Sequence, residues 1–473
     1  MTDLHYLSAA EVLQAFNARE LSPVEVFDAV SARADEVEPR INALLERNVQ
    51  ASRAEAVAAQ ERYANGSPRG VLDGLPIVAK EAHSIAGRPM RLGSVLTEGF
   101  VGPATHPVIE RALDAGAIVH ARTTTPEFSC SGFNHSALWG ETRNPWNLEY
   151  SPGGSSGGSA AALASGTAYL ATGSDIGGSI RIPASFCGVV GFKAPYGRVP
   201  TLPPRNLDTY VVHGALARTV ADTALLHNVI SGQHRVDHVS LPKVEIPTEL
   251  GDVRGLKIAL ALTLGDFLVE DEVVANTRDF AEALRAAGAI VEQVEIPIRL
   301  ADVQSAALAH FGGQMAPTLT SLVSKDDERL TPYTRMFLDW SIAEFERVGD
   351  YGGAQLEGQI HQTIAAGFAE YDALICPTIG ALGFLSGEDY VDTRLTVAGR
   401  ELEWYVMGCL TLPFNIASRY PVLSVPSGSA SNGVPTGVQV VARPYCDVTA
   451  FHVGAAAERE LGLTVAADWR PNL

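Results

Sequence analysis

Residues 151–195 read SPGGSSGGSAAALASGTAYLATGSDIGGSIRIPASFCGVVGFKAP. Two clusters of glycine and serine, 153–159 and 173–179, flank an alanine-rich helix closed by Gly166 and a short apolar strand over 169–171. Glycine lets the backbone take positive φ and approach closely. Successive N–H groups in such turns can face one concavity, and serine adds hydroxyls beside them. Working outward, the same texture continues. Short apolar runs at 75–79, 118–121, 189–192, 257–262 and 290–296 alternate with helical stretches, of which 271–287 is amphipathic. Strands at 422–425 and 437–442 precede a last helix over 450–460. Strands alternating with helices predict an α/β fold with a central mixed, twisted sheet flanked by helices.

The ends of the chain fit that plan. Residues 1–66 read as a helical segment packed on the sheet. Ser8 with Glu11 and Ser22 with Glu25 have capping-box spacing, Pro23 suits a first helical position, and a third helix over 51–63 ends at Asn65-Gly66. Residues 300–370 also read as helical and could cover a cleft. No repeat, low-complexity tract or linker divides the chain, so 1–473 is expected to form one large domain.

Of 473 residues, 19% are charged and 46% hydrophobic, the balance of a chain with a large core rather than a disordered one. The formal net charge of −19 repels phosphate backbones and anionic lipid, which predicts neither a nucleic-acid nor a membrane partner. No stretch has the ~20 apolar residues of a membrane helix, and the N-terminus lacks the basic-then-apolar pattern of a secretory signal. The expected location is the cytoplasm. Five scattered cysteines (Cys130, Cys187, Cys376, Cys409, Cys446) form no C-x-x-C pair, so buried thiols are expected rather than disulfides or zinc. No metal and no cofactor are expected, and a homodimer is left open.

Several chemistries compete for the glycine-serine loops. A phosphate-binding loop fails because Ser159 stands where its lysine belongs. Residues 153–157 match G-x-S-x-G, but that elbow needs a strand directly before it, and Pro145 and Pro152 argue against one. It also needs a histidine, and His213, His227, His234 and His238 lie in no distinctive setting. Purely structural turns would leave so many paired small residues unexplained. A serine nucleophile with a lysine base remains. Taken singly, Lys80 reads as a solvated charge, Ser155 as a turn or cap, and Ser179 as a loop hydroxyl.

Taken together, these residues closely resemble the amidase signature family. The resemblance rests on the GGSSGGS block, the block from Asp175 through Ile176-Gly177-Gly178-Ser179 to Arg181 and Pro183, and Phe186-Cys187-Gly188 up to Lys193. It extends to Asp73-Gly74-Leu75-Pro76 with Lys80, to Thr142-Arg143-Asn144-Pro145-Trp146, to Cys376-Pro377-Thr378, and to the blocks at 421–426 and 437–439. The resemblance implies an amidohydrolase of the amidase signature fold. In it Ser179 is the nucleophile, Ser155 a bridging serine on a cis peptide bond, and Lys80 the general base. It also implies an oxyanion site from the N–H groups of Ile176, Gly177, Gly178 and Ser179. The chemistry is consistent. A lysine acts as a base only when neutral, and burial away from carboxylates favours that form. Glu81 adjoins Lys80, but neighbours on an extended segment face opposite ways. Ser156 is a further candidate partner for Lys80. Asp175 and Arg181 are expected to brace the loop as an ion pair, and Cys187 to be a buried structural thiol.

The reaction expected is cleavage of the C–N bond of a small carboxamide through a seryl acyl-enzyme. Aryl-acylamide or carbamate-type hydrolysis is a related alternative, and ammonia delivery from glutamine to a partner enzyme another. Tyr196-Gly197-Arg198-Val199 is followed by a proline-rich run and Val211-Val212-His213, not by the Ser-Leu-Asp-Gln of the family's tRNA-linked members, which points to a stand-alone amidase. Ser129, in SCSGF (129–133), is expected at the acyl pocket by the same resemblance. Trp139, Phe337, Trp340 and Phe414 are candidate walls or ordinary core. Arg419 is expected to pair at the surface.

Overall fold

The computed structural model describes residues 3–464 and 469–473. Both capping boxes form: the Ser8 amide donates to Glu11 Oε2 at 2.7 Å and Glu11 N–H to Ser8 Oγ at 3.1 Å, with the same pair between Ser22 and Glu25. These caps, each contributing about 1 kcal/mol, start the helices Ala9–Ala18 and Pro23–Ile41. A third helix, Val49–Ala64, completes the segment. Apolar stripes such as Val12, Leu13 and Phe16, and Val26, Phe27 and Val30, are turned inward and buried.

One eleven-stranded sheet runs through the molecule. Its strands, in spatial order, are Leu44–Leu45, Ile118–Thr123, Pro76–Lys80, Leu170–Asp175, Val212–Ala217, Val190–Lys193, Val422–Ser429, Pro435–Ala442, Ala373–Pro377, Lys257–Leu260 and Ile290–Gln293. Pairing is parallel among Ile118–Thr123, Pro76–Lys80 and Leu170–Asp175, antiparallel across the middle, and parallel again at the Ile290–Gln293 end. The sheet is therefore mixed, as the alternating texture predicts. The period-2 alternation of strands divides the core. In Ala373–Pro377, Leu374 and Cys376 join the cluster that includes Phe311 and Phe337, while Ala373 and Ile375 join the cluster on the opposite face.

Several elements escape a sequence reading. The strand at 169–171 extends to Asp175, through Gly173 and Asp175, residue types that disfavour strands. Its pairing on both sides, with Pro76–Lys80 and Val212–Ala217, overrides that preference. Val212–Ala217 is itself a wholly buried strand that carries no β-branched run; at Gly214 a Cβ would collide with Phe192 O. Residues 300–370 contain the helices Leu300–Leu322 and Pro332–Gly367, which pack on each other. No helix among the described residues is long and apolar enough to cross a membrane.

Candidate active site

Lys80 is the last residue of its strand and is completely buried. Its Nζ donates to Ser155 Oγ at 2.7 Å and to Ser174 Oγ at 2.9 Å. Burial lowers its pKa from 10.5 to about 7, against the opposing pull of Asp175, so the amine is substantially neutral near pH 7. Glu81 points away, as alternation requires. Its carboxylate accepts from the Arg91 and Leu92 amides and lies beside Arg122. Ser156, the secondary candidate, does not contact the amine; its hydroxyl donates to Ser174 O at 3.3 Å. Ser174 takes that place, brought in by the unforeseen extension of its strand.

Ser155 follows Gly154 through a cis peptide bond and is 1% exposed. The two glycine-serine loops are tied together: Ser156 N–H donates to Ser179 O at 3.1 Å, and Thr411 Oγ1 donates to Gly177 O at 2.6 Å. Beneath the second loop, Asp175 and Arg181 form a fully buried, two-pronged ion pair with 2.9 and 3.0 Å contacts. Arg181 also donates to Thr411 O, Gln439 Oε1 and Asn415 Oδ1. Burial alone would raise the Asp175 pKa, but Arg181 and Asn415 outweigh it and hold it at about 2. The pair braces the loop, as the sequence suggests.

The donors around Ser179 are fewer than the sequence suggests. Gly178 N–H donates to Asp175 Oδ1 at 2.9 Å, which removes it from the oxyanion set. Among the described residues, the amides of Ile176, Gly177 and Ser179 have no internal acceptor. Gly178 instead supplies conformation: its φ is +128°, and a Cβ there would collide with Thr411 Oγ1. The Ser179 side chain carries no hydrogen bond among the described residues and faces a cavity of about 50 Å³.

That smaller cavity shares Ser129, Ile176 and Met315 with a larger one of about 270 Å³. Ser155 and Ser174 line the larger cavity; Gly177 and Ser179 line the smaller. Ser129 has a positive φ of 61°, and its hydroxyl lies 3.1 Å from Thr125 Oγ1. Of the four aromatics singled out in the sequence, Phe337 lines the smaller cavity. Phe414 is buried core and Trp340 packs against it, whereas Trp139 caps nothing in either cavity. Phe128, Phe311 and Trp404 supply the remaining aromatic walls. The helical hairpin at 300–367 contributes Phe311, Met315, Leu319 and Leu322 to these walls.

His213 does occupy a distinctive setting. Ring nitrogens of His83, His106 and His213, all buried, lie within 4.8 Å of one another on the wall of the larger cavity. Val108 N–H donates to His106 Nδ1, which leaves the ring proton on Nε2, directed at Thr201 Oγ1 at 3.0 Å. Thr201 then donates to His213 Nε2, His213 Nδ1 to His83 Nε2, and His83 Nδ1 to Thr172 Oγ1. One amide at the helix start thus fixes the polarity of the whole chain. Burial holds all three rings neutral, His106 down to about 3 and the other two well below their ordinary value. Nothing in the sequence joins these three positions, since 130 residues separate His83 from His213.

Cys187 is buried, 3.5 Å from Pro152 O, but Cys446 is exposed and Cys130 half-buried, so the thiols are not uniformly interior. Arg419 lies over the Tyr196 ring, outside both cavities.

A sequence model of the family described as Amidase matches residues 25–451. The chain is 34% identical to a glutamyl-tRNA(Gln) amidotransferase subunit from Chloroflexus aggregans, over 100% of this chain and 99% of that protein. It is 31% identical to an acylamidase of Rhodococcus erythropolis, over 96% of each. Its fold superposes on the crystal structure of a bacterial aryl acylamidase of the amidase signature enzymes with a TM-score of 0.87 and 28% identity, covering 97% of this chain and 96% of that one.

Proposed function

This chain belongs to the amidase family, hydrolases of amide C–N bonds, and we propose that Lys80, Ser155 and Ser179 carry the reaction. The observation that carries this reading is the 2.7 Å contact between a buried, half-neutral lysine amine and Ser155 Oγ, on the wall shared with the Ser179 loop. Ser179 Oγ attacks the amide carbon while its proton passes to Ser155 and the Ser155 proton passes to Lys80 Nζ. The amides of Ile176, Gly177 and Ser179 meet the developing oxyanion, each such donor contributing about 3 kcal/mol. As the C–N bond breaks, the proton returns by the same path to the leaving nitrogen. Water then adds to the seryl ester, releases the carboxylate and restores Ser179.

Ser155 returns the proton to nitrogen and lines the larger cavity, so the nitrogen-bearing half occupies that cavity. The acyl half occupies the smaller one, between Ser129, Phe337 and Trp404. Both are walled largely by apolar side chains, which suits a small N-substituted carboxamide, of which aryl acylamides are an example. A second reading, ammonia release from glutamine for a partner enzyme, is favoured by the 34% identity to a component of an amidotransferase. The cytoplasm remains the proposed place of action, in keeping with an exposed, unpaired Cys446. The same reading includes a homodimer and neither a nucleic-acid nor a membrane partner, the latter in keeping with the charge of −19.

The test is a panel of anilides, alkyl amides and glutamine assayed for amine or ammonia release, with Ser179→Ala, Ser155→Ala and Lys80→Ala. Each variant loses on the order of a hundredfold or more. Mass spectrometry of the quenched enzyme finds the acyl group on Ser179. Near-full activity of Lys80→Ala ends the lysine-base reading, and glutamine turnover that needs a second protein supports ammonia delivery.

A further inference from the structure

We propose that the nitrogen-bearing half of the substrate carries a carboxylate and that Arg205 binds it in the larger cavity. This rests on the assignment of that cavity to the nitrogen-bearing half. Arg205 lies in the single turn Arg205–Leu207, is partly buried, and lines the cavity. Among the described residues its guanidinium has neither a hydrogen bond nor an ion pair, unlike Arg122, Arg181 and Arg198, which are buried with partners. A partly buried guanidinium on a cavity wall that also carries Met90, Leu92 and Leu319 is stabilised by an anion that completes it.

The described residues offer no such group, because the carboxylates of Asp208, Asp175 and Asp237 are already occupied. Asp208 accepts from His310 Nε2 at 2.8 Å and from the Tyr210 amide at 3.0 Å. Asp175 is saturated by Arg181, Asn415 and two backbone amides. Asp237 accepts from the Thr201 and Val239 amides and from Asn206. Meanwhile the positive field of Arg205 reaches both Lys80 and His213, whose proton affinities it lowers. It is therefore close enough to act on a molecule lying against Ser155. The three neutral histidines on the same wall do not compete as cations. Overall charge offers no general attraction for anions, since the net is −19, so the positive spot is local.

A guanidinium presents two parallel N–H donors that match a carboxylate. Pairing also protects the chemistry. A lone anion near Lys80 would stabilise its ammonium form, whereas an anion neutralised by Arg205 leaves the amine free to act as a base.

The experiment compares acetanilide with 3- and 4-acetamidobenzoate, which carry the carboxylate on the amine half, and with succinanilic acid, which carries it on the acyl half. Wild-type enzyme is expected to favour at least one acetamidobenzoate, chiefly through a lower KM. In Arg205→Met and Arg205→Gln the ratio of kcat/KM for that acid over acetanilide falls by about tenfold to a hundredfold, the range of a lost charge-assisted contact, while Arg205→Lys keeps part of it. Melting temperatures of the three variants establish that they are folded. Calorimetric binding of 3- and 4-aminobenzoate to wild type and Arg205→Met gives a readout independent of turnover. A wild type indifferent to the carboxylate, a preference for succinanilic acid, a preference that survives in both Arg205→Met and Arg205→Gln, or aminobenzoate binding that is absent or independent of Arg205 overturns the proposal. Activity persisting in Ser179→Ala instead overturns the nucleophile assignment, leaving the two failures distinguishable.

Discussion

Replacing Ser174 by aspartate places a carboxylate where a hydroxyl now sits 2.9 Å from Lys80 Nζ. Lys80 titrates near 7 rather than 10.5 because its burial leaves the ammonium poorly solvated. At pH 7 about half of the amine is therefore neutral, against about 0.03% at the ordinary value, a difference of about three decades in available base. A unit charge within about 4 Å, at an effective dielectric near 20, is worth about 4 kcal/mol, again about three decades. Ser174→Asp should thus return Lys80 to near its ordinary pKa. The assay is kcat/KM for an anilide from pH 5 to 10.5. Wild type should rise tenfold per pH unit below 7 and level off above 8. Ser174→Asp should be slower by about a thousandfold at pH 7 and recover toward pH 10. Ser174→Ala, which removes a hydrogen bond without adding charge, should keep the wild-type midpoint. An aspartate variant that retains that midpoint would refute the neutral-lysine mechanism, as would a wild-type rate that is highest in acidic buffer.

Two further outcomes concern the frame around the site. Asp175→Asn leaves Arg181 buried without its counterion, so it should cost about 3–5 kcal/mol in urea unfolding; an unchanged midpoint would contradict the brace. His310 tests the anchoring of the helical hairpin. Burial would lower its pKa, but Asp208 and Glu357 outweigh it and raise it to about 9. With the folded value above the unfolded one, this contribution is complete below about pH 6.5 and disappears as pH rises through about 9, a swing of about 3 kcal/mol. The difference in unfolding free energy between wild type and His310→Asn should therefore shrink between pH 6.5 and pH 10; a constant difference argues against the ion pair.

Much of the frame was legible in the sequence because its signals are local. The Ser8 and Ser22 caps, the alanine-rich helix and the apolar runs state their own conformation over a few residues. Lys80, Ser155 and Ser179 were legible for another reason: their surrounding blocks resemble a known family, although each residue alone reads as commonplace. The strand through Thr172-Gly173-Ser174-Asp175 was not legible, since its backbone is held by partners on both sides rather than by its own preference. Ser174 was missed with it.

By itself, then, the sequence determined an α/β chain of the amidase family, with two glycine-serine loops and a lysine near a serine pair. Only the tertiary structure decided that Ser174 rather than Ser156 meets the lysine, that Gly178 spends its amide on Asp175, that three distant histidines form one oriented chain, and that Arg205 faces a cavity without a counterion. The physical reason is common to all four. Hydrogen-bond partnership and desolvation depend on which strands and loops lie side by side, and that adjacency is set by contacts between residues tens to hundreds of positions apart, which no local pattern encodes.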